Sequence, residues 1–379
     1  MEEKFIPLSV PNLAGNELEY TIEAVKTQWV STGGELINKL EENLAKYLHV
    51  EKACALQSGT AGLHLAMKLS GVDYNDEVIV PTLTFIAAVN PVKYCYAHPI
   101  FMDCDDSLCM DAKKVQEFLE NECIFDGEKT VNKKTNRQLK AIVVVHVFGN
   151  VGNLELLLEL AKKYNLKLIE DSTEALGGYY KNSGKFLGTF GDFGVFSFNG
   201  NKIITTGGGG ALVAKNTKDV NRAKHLSTQA KADVVYFDHD EIGYNYRMTN
   251  LQAALGVAQL EQLEGFVEIK NKNYELYKKE GLNLMPFSDE IRSNKWFYSL
   301  ISDNRDELIK YLNDKKIQTR PIWKLIHMLK PYQNSQAYKI EKALKYYEKI
   351  VNIPCSTGIT QEELLRVSQE IKEFNLCKS

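Results

Sequence analysis

Apolar and polar positions alternate along the first half of the chain with two different periods. Short apolar runs, such as 141–147, have the composition of strands that are buried on both faces of a sheet. Between them lie segments with helical spacing, such as 36–48, where leucine recurs every fourth residue. This alternation of strand and helix predicts an α/β fold with a large, mainly parallel sheet that is covered by helices on both sides.

The same pattern predicts the individual elements. Strands are predicted at 53–56, 77–80, 100–102, 141–147, 166–170, 195–198, 211–214 and 296–301. Helices are predicted at 18–29, 36–48, 59–69, 111–120, 153–164, 222–232, 305–315, 340–347 and 361–374. Thr249 and Gln252 form a capping box for a long helix that reaches about residue 279, with Gly265 as a point where it could break.

Two further features concern the organisation of the chain. The first helix carries Ile22, Val25 and Trp29 on one face and is expected to be capped by Asn16. The polar stretch 121–140 interrupts the alternation and is expected to be a surface excursion. We expect two domains: residues 1–250, a large cofactor-binding domain with an N-terminal helical segment, and residues 251–379, a smaller α+β domain.

Composition narrows the class of protein. A net charge of -3, with 44% hydrophobic and 25% charged residues, describes an ordinary globular chain and gives no electrostatic reason to bind nucleic acid or a membrane surface. No apolar run approaches the roughly 18 residues of a membrane span. The seven cysteines include no CxxC pair, which favours reduced thiols over a metal site. A cytoplasmic protein without a metal is therefore the expectation.

Several chemically capable residues fall at or just after predicted strand ends. They are Ser58, Phe85, Asp171 and Lys202. In sheets of this kind ligands bind beyond the carboxyl ends of the strands. We therefore expect these four side chains to share one site.

Together these residues could supply every chemical group that a binding site for pyridoxal phosphate needs. Lys202 could form a Schiff base with the aldehyde and move protons. Asp171 could keep the pyridine nitrogen protonated, and Phe85 could cover the ring face. The turn at 58–60 opens a helix, where a phosphate binds readily, and the hydroxyl of Ser197 could add to it.

Each residue also has an ordinary structural explanation. A lysine such as Lys202 is usually a solvated loop residue, and Asp171 could simply cap the next turn. Phe85 and Ser197 could belong to the core. The four glycines at 207–210 could suggest a nucleotide phosphate loop, but no GK[ST] sequence follows them.

Two segments resemble the signatures of the DegT/DnrJ/EryC1/StrS sugar aminotransferases. They are EDSTEALG at 170–177 and FNGNKIITTG at 198–207. Matches at 57–61, 81–85, 243–248 and 320–321 extend this resemblance over nearly the whole chain. The resemblance implies the fold of the type I aspartate aminotransferase class, pyridoxal 5'-phosphate as cofactor and a homodimer with a shared active site.

The resemblance also implies roles for individual residues. Gly59, Thr60 and Ser197 would bind the cofactor phosphate together with Asn245 of the partner subunit. Glu174 takes a position that is often glutamine in this family, where the side chain contacts the phenolic oxygen of the cofactor. Some relatives have histidine in place of the lysine and catalyse dehydration, and Lys202 argues against that branch.

Matches at 5–9, 29–33 and 322–327 resemble the subgroup that makes 4-amino sugars for bacterial surface glycans, including legionaminic acid precursors. This resemblance makes Thr32, Arg320 and His327 candidates for substrate binding. It implies transamination of a 4-keto-6-deoxy nucleotide sugar, 2-acetamido and UDP- or GDP-linked, with L-glutamate as the amino donor. The alternatives are a 3-aminotransferase acting on another keto nucleotide sugar and a non-catalytic binding protein on the same fold.

Overall fold

The computed structural model describes residues 4–233 and 235–378, and a ten-stranded sheet lies at its centre. The strands of the protein are β1 (Cys54–Leu56), β2 (Glu77–Pro81), β3 (His98–Met102), β4 (Cys123–Phe125), β5 (Thr130–Asn132), β6 (Gln138–Val145), β7 (Lys167–Asp171), β8 (Tyr179–Tyr180), β9 (Phe193–Ser197), β10 (Gly210–Ala214), β11 (Lys231–Asp233), β12 (Asp238–His239), β13 (Ile291–Arg292), β14 (Tyr298–Ile301), β15 (Arg320–Pro321), β16 (Gln336–Tyr338) and β17 (Ile350–Ile353). The helices are α1 (Glu17–Lys26), α2 (Glu35–Leu48), α3 (Gly59–Leu69), α4 (Asn90–Tyr94), α5 (Ala112–Glu122), α6 (Leu154–Lys163), α7 (Thr217–Ser227), α8 (Asn250–Lys279), α9 (Arg305–Asp314), α10 (Lys342–Lys349) and α11 (Gln361–Lys378).

The large sheet has the strand order β1-β10-β9-β7-β6-β2-β3-β16, and β4 and β5 form a hairpin that joins it through β6. Neighbours from β9 to β16 along this order are parallel, whereas β1, β10 and β9 pair antiparallel. The carboxyl ends of β6, β7 and β9 therefore meet at one edge. A ligand site is expected there in a sheet of this kind.

Alternate residues of β6 explain why the sheet is buried on both faces. Val143 and Val145 belong to the apolar cluster that also contains Leu65 of α3. Ile142 and Val144 belong to a different cluster, shared with residues of α5 and α6. Because neighbouring residues of a strand point to opposite faces, an almost continuous apolar strand needs helices on both sides. The predicted α/β fold class is confirmed.

Some predicted elements were wrong. The stretch 121–140 is not a mere surface excursion, because it contains the β4–β5 hairpin and the start of β6. Helix α7 ends at Ser227 instead of continuing to residue 232, where β11 lies. Asn16 makes no capping hydrogen bond to α1, and its amide instead donates to Glu261 Oε2 at 2.9 Å. Helix α8 passes through Gly265 without a break.

A second sheet of three antiparallel strands, in the order β14-β17-β15, lies in the C-terminal part of the chain. The long helix α8 packs against α1 and α2, and β16 returns to the large sheet beside β3. The division into two domains at residue 250 stays a prediction. Among the described residues, no helix combines the length and apolar character that a membrane crossing requires.

Candidate active site

A cavity of about 490 Å³ lies at the carboxyl ends of β6, β7 and β9, beside the N-terminus of α3 and the loop between β9 and β10. Nine of the predicted site residues line it: Ser58, Gly59, Thr60, Phe85, Asp171, Glu174, Ser197, Lys202 and Arg320. They come from distant parts of the sequence, and the topology of the sheet brings them together.

The N-terminus of α3 forms one wall of the cavity. Ser58 is its N-cap residue, and Oγ accepts a hydrogen bond from the N–H of Ala61 at 3.1 Å. A Cβ at Gly59 would lie 3.0 Å from Ser197 Cβ and 3.0 Å from Thr173 Cγ2, so glycine lets the helix begin against β9. The helix dipole and the nearby hydroxyls suit an anion here.

Asp171 is the last residue of β7 and is 3% exposed. Its Oδ1 accepts a hydrogen bond from the N–H of Thr173 at 3.1 Å. Burial raises the pKa of the Asp171 carboxyl, and the hydrogen bonds from Thr173 and the charges of Lys202 and His146 oppose that shift without cancelling it. This carboxylate is costly to keep charged, and a cationic ligand group would offset the cost.

A buried pair lies directly beside Asp171. His146 Nε2 is 2.8 Å from Glu170 Oε2, and both side chains are fully buried. The backbone N–H of His146 donates to the carbonyl oxygen of Asp171 at 3.1 Å. Burial would raise the pKa of Glu170, but the hydrogen bond and charge of His146, together with backbone N–H groups of Gly188 and Gly191, hold it below its usual value. The pair therefore anchors the strand end that carries Asp171.

Lys202 lies in the β9–β10 loop, and its side chain is 12% exposed. Its Nζ is 3.4 Å from Glu174 Oε1 and 3.8 Å from the centroid of the Trp296 ring. The other carboxylate oxygen of Glu174 accepts the N–H of Phe148 at 2.8 Å. Burial raises the pKa of the Glu174 carboxyl, and the charge of Lys202 opposes this shift. The lysine amine is thus held inside the cavity between a carboxylate and an aromatic ring.

Hydrogen bonds within the loop around Lys202, and one from the loop to α8, fix its conformation. Phe198 donates its N–H to the carbonyl of Gly209 at 2.9 Å, and Thr206 donates its N–H to the carbonyl of Phe198 at 2.8 Å. The N–H of Thr205 donates to Gln259 Oε1 of α8 at 3.1 Å. The amine of Lys202 therefore projects from a rigid loop.

Other residues that line the cavity were not predicted as site residues from the sequence. They include Leu8, Thr84, Thr173, Asn199, Asn201, Trp296, Phe297, Trp323 and Asn352. Asn199 and Asn201 precede the lysine closely inside the motif, and that proximity could have identified them. Trp323 lies inside the segment 322–327 that resembles the 4-amino-sugar subgroup, and that motif could have identified it. Trp296, Phe297 and Asn352 come from parts of the C-terminal region where no local motif marks them.

Three predicted site residues do not line this cavity. Thr32 is exposed in the turn between α1 and α2, and Asn245 is exposed between two tyrosines. His327 is half-buried, and its Nδ1 lies 2.6 Å from Thr82 Oγ1. The roles predicted for these three residues stay predictions.

The residues present fit pyridoxal phosphate. A helix N-terminus beside the hydroxyl of Ser197 suits the phosphate, and the buried carboxylate of Asp171 suits a protonated pyridine nitrogen. The amine of Lys202 lines the same cavity. A Cβ at Gly210 would come within 2.6 Å of the backbone nitrogen of Gly59, so this glycine of the four-glycine run keeps the start of α3 against the sheet.

Known proteins resemble this chain along its whole length. Residues 11–372 match the DegT/DnrJ/EryC1/StrS aminotransferase family. The GDP-perosamine synthase of Escherichia coli O157:H7 is 39% identical over 378 residues, which cover 98% of this chain and 99% of that protein. The UDP-4-amino-4,6-dideoxy-N-acetyl-beta-L-altrosamine transaminase of Campylobacter jejuni (strain 81-176) is 29% identical, with 97% and 96% covered.

A solved structure supports the same conclusion. The aminotransferase TlmJ from Streptoalloteichus hindustanus superposes with a TM-score of 0.89 at 26% identity, covering 99% of this chain and 100% of that one. The chain belongs to the DegT/DnrJ/EryC1/StrS aminotransferase family. It is a sugar aminotransferase of fold type I that depends on pyridoxal phosphate, as the sequence predicted.

Proposed function

We propose that this protein transfers the amino group of L-glutamate to the C4 keto group of a 4-keto-6-deoxy sugar carried on a nucleotide. The product is a 4-amino sugar for the assembly of bacterial surface glycans. The observation that carries the proposal is the convergence of Lys202, Asp171 and the α3 N-terminus on one cavity. These groups are the ones that hold pyridoxal phosphate and move protons on it.

Each side chain then has a distinct task. The bound cofactor supplies an electron sink for the bond that breaks at the carbon carrying the amine. The carboxylate of Asp171 would keep the ring nitrogen protonated, and Ser197 with residues 58–60 would bind the phosphate. Phe85 would cover the ring, and the carboxyl of Glu174 would contact the phenolic oxygen.

Lys202 is the proton carrier of the proposed reaction. With the cofactor bound, its Nζ would remove the α-proton of glutamate as a general base and would then donate a proton as a general acid. In the second half-reaction the same amine would donate a proton to the carbon of the sugar that receives the amino group. Because the side chain is 12% exposed, few water molecules compete with these transfers.

The names of two relatives support one choice of nucleotide. The E. coli relative at 39% identity is named for a GDP sugar, whereas the C. jejuni relative at 29% is named for a UDP-linked N-acetyl sugar. We therefore propose a GDP-linked substrate without a 2-acetamido group. The legionaminic acid subgroup, which the motifs resemble, would instead require the 2-acetamido sugar.

The proposed active site is shared between two subunits. Asn245 is exposed and does not line the cavity of its own chain. In the proposed homodimer it reaches the cofactor phosphate of the partner, and Thr32, Arg320 and His327 contribute to the substrate side.

A panel of substrates tests the proposal. Purified protein with pyridoxal phosphate and L-glutamate is given GDP-linked 4-keto-6-deoxy sugar, UDP-linked 2-acetamido-4-keto-6-deoxy sugar and a dTDP-linked 3-keto-6-deoxy sugar in separate reactions. We expect the GDP-linked sugar to have a kcat/KM at least about tenfold above the others, with NMR of the product showing the amine at C4.

Lys202→Ala is the control variant. It should bind cofactor without the visible absorbance of the lysine-linked form, and its turnover should fall by about 10³-fold or more. Exposed Lys215→Ala should leave both properties unchanged. Full activity in Lys202→Ala, or amination of the 3-keto sugar alone, would contradict the proposal.

A further inference from the structure

Trp296 contacts the amine that the proposed mechanism depends on. The ring centroid of this residue lies 3.8 Å from Lys202 Nζ, well within the reach of a cation–π interaction. The Trp296 side chain is 4% exposed, so the interaction is largely desolvated. Glu174 Oε1 approaches the same nitrogen at 3.4 Å. Two groups from distant elements therefore define the position of one amine.

The indole ring is fixed by hydrogen bonds at both its ring nitrogen and its backbone. Nε1 donates to the carbonyl of Asn201 at 2.7 Å, which ties the ring to the residue that precedes Lys202. The backbone N–H of Trp296 donates to the carbonyl of Phe148 at 3.0 Å and to Asn294 Oδ1 at 3.1 Å. The ring and the lysine loop are thus held together as one unit.

A buried lysine completes this anchor. Lys270 of α8 is 3% exposed, and its Nζ donates to the carbonyl of Trp296 at 2.7 Å. It also donates to the carbonyl of Cys355. Burial lowers the pKa of Lys270. The contacts of its Nζ with these two carbonyl oxygens fix the backbone that carries the indole.

We propose that Trp296 is the positioning residue that holds the side-chain amine of Lys202 inside the cavity whenever this amine is not bonded to the cofactor. The inference rests on the proposed role of Lys202 as the proton carrier. Neither local motifs nor the named relatives assign this task to Trp296.

The chemistry explains why such a residue is needed. The lysine amine is released in the first half-reaction and is bonded again only at the end of the second, and in both it would carry a proton between two carbons. A long lysine side chain has many rotamers, and one that swings out of the cavity loses the near-attack geometry. A flat aromatic ring attracts the ammonium form without forming a hydrogen bond that must break at each transfer.

The contact can be tested in protein that carries no cofactor. Competitive labelling with acetic anhydride, quantified by mass spectrometry of the peptide that contains Lys202, measures how freely its amine reacts. We expect Trp296→Leu to raise the labelling rate of Lys202 about tenfold relative to exposed lysines of the same sample. Trp296→Phe retains an aromatic face and should stay close to the native rate. Trp323→Leu, which removes another ring of the cavity, should not change it.

The loaded enzyme provides an independent measurement. Trp296→Leu should retain the absorbance of lysine-bound cofactor but lose about 10- to 100-fold in the rate of its spectral change with glutamate, with little change in the KM for glutamate. Trp296→Phe should recover most of this rate.

The outcomes separate the two proposals. An unchanged labelling rate and glutamate reaction in Trp296→Leu would overturn the role of Trp296, whatever the sugar substrate is. If Trp296→Leu does not fold, a Trp296→Phe protein with a strongly raised Lys202 labelling rate would overturn the role of the aromatic face. Full activity of Lys202→Ala would instead contradict the proposed function, but it would not alter what the labelling rate shows about the contact between Trp296 and Lys202.

Discussion

At the scale of single residues, the site contains two acids whose burial works against the stability of the free protein. Asp171 and Glu174 are 3% and 4% exposed, and burial raises the pKa of both carboxyls. For such a group the folded state binds a proton more tightly than the unfolded state. Stability contributed by the group therefore falls as pH rises from the unfolded pKa of about 4 through the raised folded pKa. At neutral pH the charged form of these carboxyls lowers the stability of the folded protein, and the binding of a cation offsets this loss.

Asp171→Asn tests this argument. In protein without cofactor, the variant should melt about 2 °C or more above the native protein at pH 7, because the neutral amide avoids the cost of a buried charge. The difference should shrink as the pH falls and vanish at about pH 3, where the carboxyl is protonated in both states. With cofactor, kcat should fall about 10²-fold because the ring nitrogen loses its partner.

The measurements are thermal melts across this pH range and steady-state kinetics. Exposed Asp289→Asn is the matched control and should change neither property. A melting temperature that drops at pH 7 in Asp171→Asn would contradict the assignment of a raised pKa.

The sequence predicted residues of the site where a short motif surrounds them. Lys202 and Asp171 lie in such motifs, and the structure brings both to the cavity. Trp296 and Asn352 could not be predicted, because contacts with residues distant in sequence position them: Trp296 Nε1 donates to the carbonyl of Asn201, and Asn352 Oδ1 accepts from the hydroxyl of Ser299. A tryptophan or asparagine in such a position looks the same as a core or surface residue until the chain is folded.

At the scale of elements, apolar spacing and caps predicted most helices well. The capping box of Thr249 and Gln252 is present in the structure. Errors arose where tertiary contacts decide the outcome: Asn16 finds a partner on α8 instead of capping α1. The hairpin at 123–132 is too polar to show a strand pattern, and pairing with β6 stabilises it.

Two glycines of α8 should respond in opposite ways to the same substitution. A Cβ at Gly256 would lie 2.8 Å from Leu40 Cδ2 and 3.0 Å from Thr206 Cγ2, both buried side chains. Gly256→Ala should therefore lower the free energy of unfolding by about 1–3 kcal/mol through overpacking. A Cβ at exposed Gly265 meets nothing within 4 Å, so Gly265→Ala should raise it by about 0.5–1 kcal/mol.

Urea unfolding of the two variants side by side measures both effects in one helix. Equal changes of the same sign would show that helix propensity, and not the packing against α2, governs this element.

At the scale of the whole molecule, α1 exposes the apolar face that its sequence pattern marked. Ile22 and Val25 of α1 are 42% and 56% exposed, whereas α1 buries Glu17 and Ala24. The helix ends at Lys26 and not at residue 29 as predicted, and Trp29, which follows it, is 61% exposed. An amphipathic pattern predicts that the apolar face of a helix is buried, but it does not show whether the same chain or a second subunit covers that face. An exposed apolar face of this size supports the proposed homodimer, because monomers rarely leave one open.

A mixture of two inactive variants tests whether the active site is shared. In the proposed dimer each site combines Lys202 of one subunit with Asn245 of the other. Lys202→Ala removes the first, and Asn245→Asp places a carboxylate where the phosphate must bind, so each homodimer should be nearly inactive. In a heterodimer of the two, one site carries both changes and the other carries neither. Co-expression in equal amounts should then restore about a quarter of the native activity, since half of the dimers are mixed and each mixed dimer has one intact site.

Affinity tags on the two chains allow the heterodimer to be isolated, and its activity should be about half that of the native dimer. If Asn245 acted within its own chain, every site of the mixture would carry one change, and the absence of any restored activity would overturn the shared site.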